Sequence, residues 1–179
     1  MDRRAFQLLM KVLIAYDTRY GTTGEIAHWL AEGLAADCDV KVVADVANVD
    51  YDLIIVGSPM YTDEPLPSVV QFLHDHSSAL SSKNVALFLV YDKLVASKLD
   101  AYEQMIRKQA PPNVLAVGIF GGYIDIEKLT EHDRRTIEDF FSRLGHRYEV
   151  LDSRDKEEVL RFAQRLKDEW RKTEIITKE

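Results

Sequence analysis

Six residues, Thr18-Arg19-Tyr20-Gly21-Thr22-Thr23, hold the densest chemistry in this 179-residue chain. They follow the apolar run Val12-Leu13-Ile14-Ala15 and precede an amphipathic stretch that ends near Leu34. A hydroxyl- and glycine-bearing turn between a strand and a helix surrounds a phosphate with hydroxyls and backbone N–H groups. The helix start adds unpaired donors and partial positive charge at the same point. The Lys-Ser/Thr ending of a triphosphate loop is missing, and so is the G-x-G-x-x-G of a dinucleotide site. The expected ligand group is therefore a terminal monophosphate held by neutral donors. An ordinary strand–turn–helix capped by threonine is the competing reading.

Such a turn needs a sheet behind it. Apolar runs of strand length recur at Val12–Tyr16, Val40–Val43, Leu53–Val56, Val85–Val90 and Val114–Phe120. Near-continuous Val/Ile/Leu runs are what strands covered on both faces look like. Between them, Ile26, Ala27, Leu30, Ala31 and Leu34 fall on one helical face. Pro67 opens a helix through about Leu73, and Ser97-Lys98-Leu99-Asp100 has the spacing of a capping box. Alternating strands and helices predict an α/β, doubly wound sandwich with right-handed crossovers. One domain spans 1–179, with residues 1–9 as an appendage and 173–179 as a fraying tail.

Late in the chain the alternation breaks. Thr130-Glu131-His132-Asp133 resembles a capping box, and Ile137, Phe140, Phe141 and Leu144 mark one face of the helix it starts. Val159, Phe162, Ala163, Leu166 and Trp170 mark the buried face of a final helix. The segment Gly122 to Arg147 is expected to interrupt the fifth strand, with Tyr148–Leu151 continuing it.

In an open α/β sheet, ligands bind beyond the carboxyl ends of the strands, where strand order reverses. Besides the first turn, that rim receives Gly57-Ser58-Pro59-Met60-Tyr61-Thr62, Tyr91-Asp92-Lys93-Leu94 and Gly121-Gly122-Tyr123. Met60, Tyr61 and Tyr91 are large and polarizable and suit a planar ring; plain rim packing is the alternative for each alone. Asp63, Glu64 and Asp92 lie in or beside these loops, where the plain reading is solvated loop charge.

Composition narrows the function classes. With 46% hydrophobic and 30% charged residues, the chain can bury a sizeable core and has no run of roughly 20 apolar residues. A net charge of −7 argues against nucleic acid and anionic membrane as partners. Cys38, the single cysteine, lies between Asp37 and Asp39, which disfavour its thiolate. His74 and His76 are two apart and share no helical face, so no metal site is expected. A cytoplasmic location is expected, and the sequence leaves self-association open.

Thr18 to Thr23 after the first strand, with Gly57-Ser58-Pro59-Met60-Tyr61 after the third, resembles the flavodoxin family over nearly the whole chain. The resemblance implies a five-stranded parallel sheet of order 2-1-3-4-5 that binds FMN. Thr18, Arg19, Tyr20, Gly21, Thr22 and Thr23 would hold the phosphate. Pro59, Met60 and Tyr61 would flank one side of the isoalloxazine and Tyr91, Asp92, Lys93 and Leu94 the other, with Ser58, Thr62, Gly122 and Tyr123 also at the cofactor. Within the family the chain looks most like the branch containing menaquinone-dependent protoporphyrinogen oxidase, through Thr18-Arg19, Gly21, Thr23, the late insertion and Asp152-Ser153-Arg154. That likeness implies an FMN-dependent oxidoreductase passing electrons to a quinone-like or other small acceptor. The insertion, mixed in charge and partly acidic from Tyr123 to Arg135, argues against membrane contact. A flavodoxin-type carrier exchanging electrons with redox partner proteins is the alternative, and a non-redox binding module a third.

Overall fold

The computed structural model describes residues 11–91, 97–143, 145 and 151–176. Its sheet begins with β1 (Lys11–Tyr16), β2 (Asp37–Val42) and β3 (Leu53–Tyr61), followed by the short β4 (Glu64–Pro65). Strands β5 (Asn84–Tyr91) and β6 (Val114–Gly121) complete it, and β7 (Tyr123–Ile124) and β8 (Leu151–Asp152) stand apart. The helices are α1 (Thr22–Leu34), α2 (Pro67–Asp75), α3 (Ser77–Leu80), α4 (Leu99–Gln109), α5 (Glu131–Arg143) and α6 (Lys156–Ile176).

Strands pair in the order β2-β1-β3-β5-β6, all parallel, while β4 turns back antiparallel on β3. Setting the β4 hairpin aside, this is the expected 2-1-3-4-5 order. The alternation along each strand builds two cores. Val12 and Ile14 face one side with Leu53, Ile55 and Phe88, under Ile26, Leu30, Phe162 and Leu166 of α1 and α6. Leu13 and Ala15 face the other with Ile54, Val56 and Leu87, under Val69, Phe72, Tyr102 and Ile106 of α2 and α4. Burying each large aliphatic or aromatic side chain contributes about 1.5–3 kcal/mol, so both layers are needed to hold the sheet flatly covered. All five apolar positions expected on α6, from Val159 to Trp170, are buried.

Gly57 marks where this packing leaves no room. A Cβ there would lie 2.0 Å from Cζ of Phe88, so only glycine lets that ring cross the sheet end. In register, Tyr16 faces Gly57, Pro59 faces Val90 and Tyr91 faces Gly121. The four strand ends therefore open on one rim, with the reversal of strand order between β1 and β3.

Three expectations change. Leu151 pairs antiparallel with Ile124, and Asp152 with Tyr123, in a separate two-stranded ribbon and not on the edge of the main sheet. Tyr148, Glu149 and Val150 lie outside the described residues. The physical reason is that Gly122 makes the last bond to β5, its N–H donating to Tyr91 O at 2.8 Å, while its carbonyl accepts from Ser153 N–H at 3.0 Å, so the chain beyond it pairs with the returning segment. Helix α4 starts behind Lys98 with no side-chain cap, so Ser97 does not act as the capping residue. On α5, Phe141 is buried but Phe140 is 41% exposed, because the helix offers only one narrow apolar edge; Leu144 lies outside the described residues. No described helix is long and apolar enough to cross a membrane.

Candidate functional site

The rim carries a cavity of about 140 Å³. Its lining combines the first turn (Thr18, Arg19, Tyr20, Thr22, Thr23), the β3 end (Pro59, Met60, Tyr61) and the β5 and β6 ends (Tyr91, Gly122, Tyr123). These segments lie far apart in sequence, and the sheet register brings them together. Gly21 shapes the first turn from behind: at φ +96° it sits in the left-handed region that favours glycine. Its N–H donates to Thr18 Oγ1 at 2.9 Å, and α1 then begins with no side chain capping it. The first amides of α1 and the hydroxyls of Thr18 and Thr23 thus frame one end of the cavity, a donor set suited to a phosphate. Along the remainder, Met60, Tyr61, Val90, Tyr91 and Tyr123 supply the apolar and aromatic surface that a planar ring needs.

Other expected residues take supporting places. Ser58 is fully buried; its hydroxyl donates to Pro59 O at 2.8 Å and accepts from Leu66 N–H at 2.8 Å, fixing the bend into α2. Thr62 does not line the cavity. With Asp63 it forms the hairpin tip between β3 and β4, at φ 50° and 65°, the geometry of a type I′ turn. Asp63 is tied to α4 by Lys98 and the Tyr102 hydroxyl, which hold its carboxyl below the usual range. Its charge is thus paired. Asp92, Lys93 and Leu94 lie outside the described residues.

The inserted segment supplies a wall that the sequence did not reveal. Ile124, Leu129, Asp133 and Ile137 all face the cavity. Asp133 is 1% exposed and accepts hydrogen bonds from the Tyr20 and Tyr61 hydroxyls. Arg19 Nη1 lies 3.4 Å from its Oδ2, and the same guanidinium is 4.0 Å from the Tyr61 ring centroid. Burial alone would raise the Asp133 carboxyl; the two hydroxyls and Arg19 outweigh it and hold the group below the usual carboxylate range. Tyr61 responds oppositely, pushed up to about 12 by burial and by its bond to that carboxylate. Thr130 starts the helix as expected: its Oγ1 accepts from Asp133 N–H at 3.2 Å, while its own N–H reaches the Tyr20 hydroxyl at 3.3 Å. The capping spacing pointed to a helix start, but nothing local marked Asp133 as the buried acid.

A second bracket fixes the ribbon to the first turn. Thr22 Oγ1 donates to Tyr123 O at 3.0 Å. Arg154 pairs with Glu25 of α1 and with Asp152 of β8, which raises its already high pKa further.

Comparison with known proteins matches residues 13–148 to the flavodoxin domain family. Protoporphyrinogen IX dehydrogenase [quinone] of Escherichia coli (strain K12) is 34% identical over 98 residues, 50% of this chain and 51% of that protein. The chain therefore spans about half the length of the curated relatives it matches. Among solved structures, oxidised flavodoxin 1 of Bacillus cereus superposes with a TM-score of 0.54 at 17% identity, covering 88% of this chain and 97% of that one. A flavoprotein of Lactobacillus acidophilus NCFM, solved in complex with FMN, gives 0.50 at 20% identity, covering 62% and 93%.

Proposed function

This chain belongs to the flavodoxin domain family, and from that premise we propose that it binds FMN and works in the cytoplasm as an FMN-dependent oxidoreductase with a quinone-like or other small acceptor. Flavodoxins are the known example of FMN held at the β1/β3 reversal of a 2-1-3-4-5 sheet. The observation that carries the reading is the single cavity uniting the uncapped start of α1, an aromatic strip and a wall from the insertion. A monophosphate fits the donor end, and a tricyclic ring fits the strip. Bound there, FMN would supply the transfer of one or two electrons.

The chain's own residues set the terms of that chemistry. Thr18 and Thr23, with the backbone N–H of Thr22, would orient the phosphate. Met60 and Tyr61 on one side and Tyr91 on the other would exclude water from the ring faces. Ile124, Leu129 and Ile137 wall the cavity from the insertion, as suits a site that admits a small acceptor. A carrier docking on partner proteins needs an exposed ring edge instead. The test is reconstitution with FMN, after which the oxidised holoprotein is mixed with protoporphyrinogen and the anaerobically reduced holoprotein with a soluble quinone or oxidised ferredoxin. Fast reaction with quinone or porphyrinogen supports the enzyme. Reaction with ferredoxin alone supports the carrier, and failure to retain FMN removes both.

A further inference from the structure

The phosphate-binding turn already holds an anion of the chain's own. Arg19 and Tyr20, two of its six residues, contact the carboxylate of Asp133, and this carboxylate lines the same cavity as Thr18, Thr22 and Thr23. We infer that Asp133, carried by the inserted helix α5, competes with a ligand's phosphate for Arg19 and so determines how strongly the site prefers phosphorylated over unphosphorylated flavin. The inference rests on the FMN reading above and adds a specificity-determining residue to it.

Three features make the exchange physically accessible. The Arg19 contact is long, 3.4 and 3.5 Å from a single guanidinium nitrogen, and the Arg19 side chain is 43% exposed, so it can swing toward the turn. Once Arg19 leaves, Asp133 keeps its bonds from Tyr20 and Tyr61 and is not stranded as an unpaired buried charge. A phosphate in the turn draws Arg19 away from Asp133, so its arrival weakens the docking of α5 and is weakened by that docking in turn. Riboflavin shares the ring but lacks the phosphate and escapes this competition. A contact that merely glued α5 in place would affect both flavins alike.

The experiment titrates FMN and riboflavin, by flavin fluorescence quenching, into wild type, Asp133→Asn, Arg19→Gln and the double variant. Asp133→Asn is expected to tighten FMN about tenfold and to leave riboflavin within about threefold. In the Arg19→Gln background, the gain for FMN should shrink to less than about threefold. An unchanged FMN-to-riboflavin ratio in Asp133→Asn, or weaker FMN binding, overturns the inference while leaving the FMN assignment intact. Binding of neither flavin by wild type removes the FMN assignment and this inference with it. If Asp133→Asn does not fold, hydrogen exchange of wild type decides. Faster exchange of α5 amides with FMN than with riboflavin supports competition, and equal or slower exchange overturns it.

Discussion

The guanidinium of Arg154 lies 4.5 Å from the ring centroid of Tyr123, so a residue just beyond the ribbon grips an aromatic that lines the cavity. The same guanidinium bonds Asp152 through Nε at 2.8 Å and Nη2 at 2.6 Å, a two-pronged contact that a lysine cannot reproduce. Arg154→Ala is expected to lower stability by about 1–2 kcal/mol, combining a cation–π contact with partly screened ion pairs. Arg154→Lys should recover less than half of that loss. Urea unfolding of the three proteins measures it, and equal midpoints for wild type and the alanine variant would refute the bracket.

Thr18 is the turn hydroxyl most exposed to a simple test. Its oxygen accepts from Gly21 N–H, which leaves the hydroxyl proton to donate to a phosphate oxygen. Thr18→Ala should weaken FMN by about 1–2 kcal/mol, or roughly 5- to 30-fold, with riboflavin little changed. Calorimetric titration with both flavins reads the difference. Equal losses for both would show that the turn had collapsed, contradicting a direct phosphate contact.

Two glycines separate steric from conformational cost. Gly57→Ala drives a Cβ into the Phe88 ring and is expected to destabilise by about 2–3 kcal/mol. Gly21→Ala meets open space, and its cost of about 1 kcal/mol comes from the left-handed backbone alone. Thermal melts should rank the two variants in that order; the reverse order would be inconsistent with this packing.

Acid exposes Asp133. Its folded carboxyl titrates below the ordinary value of 3.8, so the unfolded chain binds the proton first as pH falls. The stability this group contributes is present at neutral pH and is lost as pH drops through 3.8 and into the folded value. The gap in urea midpoint between wild type and Asp133→Asn should therefore narrow on acidification below that value. A gap that is constant with pH would mean that the ionised carboxylate plays no such part.

Much of this architecture was legible in the sequence because local pattern and tertiary role coincide there. Val12–Tyr16 and Val85–Val90 are apolar on every residue because helices cover both faces, and that state leaves its mark in composition. The two glycine-bearing turns were legible for a similar reason, since their residue types serve a local backbone need. Pairing partners leave no such mark. Leu151 reads as strand in either register, and only the end of β5 pairing at Gly122 assigns it to Ile124. Nor could burial of one acid among Glu131, Asp133, Glu138 and Asp139 be read from helical spacing, because the partners that bury Asp133 stand 72 to 114 residues away. Ser58 shows the converse: a hydroxyl in a binding motif that the fold turns inward to hold its own loop.

Cys38 gives a check on the opposite end of the molecule from the site chemistry. Burial, joined by the charges of Asp37 and Asp39, raises its thiol from 9.0 to about 11. At pH 8 the thiolate fraction is therefore about a hundredfold below that of a free thiol. Alkylation by iodoacetamide should be slower in the folded protein by about that factor and return to normal in urea. A folded-state rate equal to that of free cysteine would rule out this half-buried, acid-flanked setting.

The ribbon of Tyr123–Ile124 and Leu151–Asp152 zips together the two points where the polypeptide leaves and rejoins the body of the molecule. What lies between them is a cassette. Lengthening it costs the framework only the slow logarithm of loop closure, about 0.6 kcal/mol per doubling. That stretch of chain can thus change in length and content with the five parallel strands left as they are.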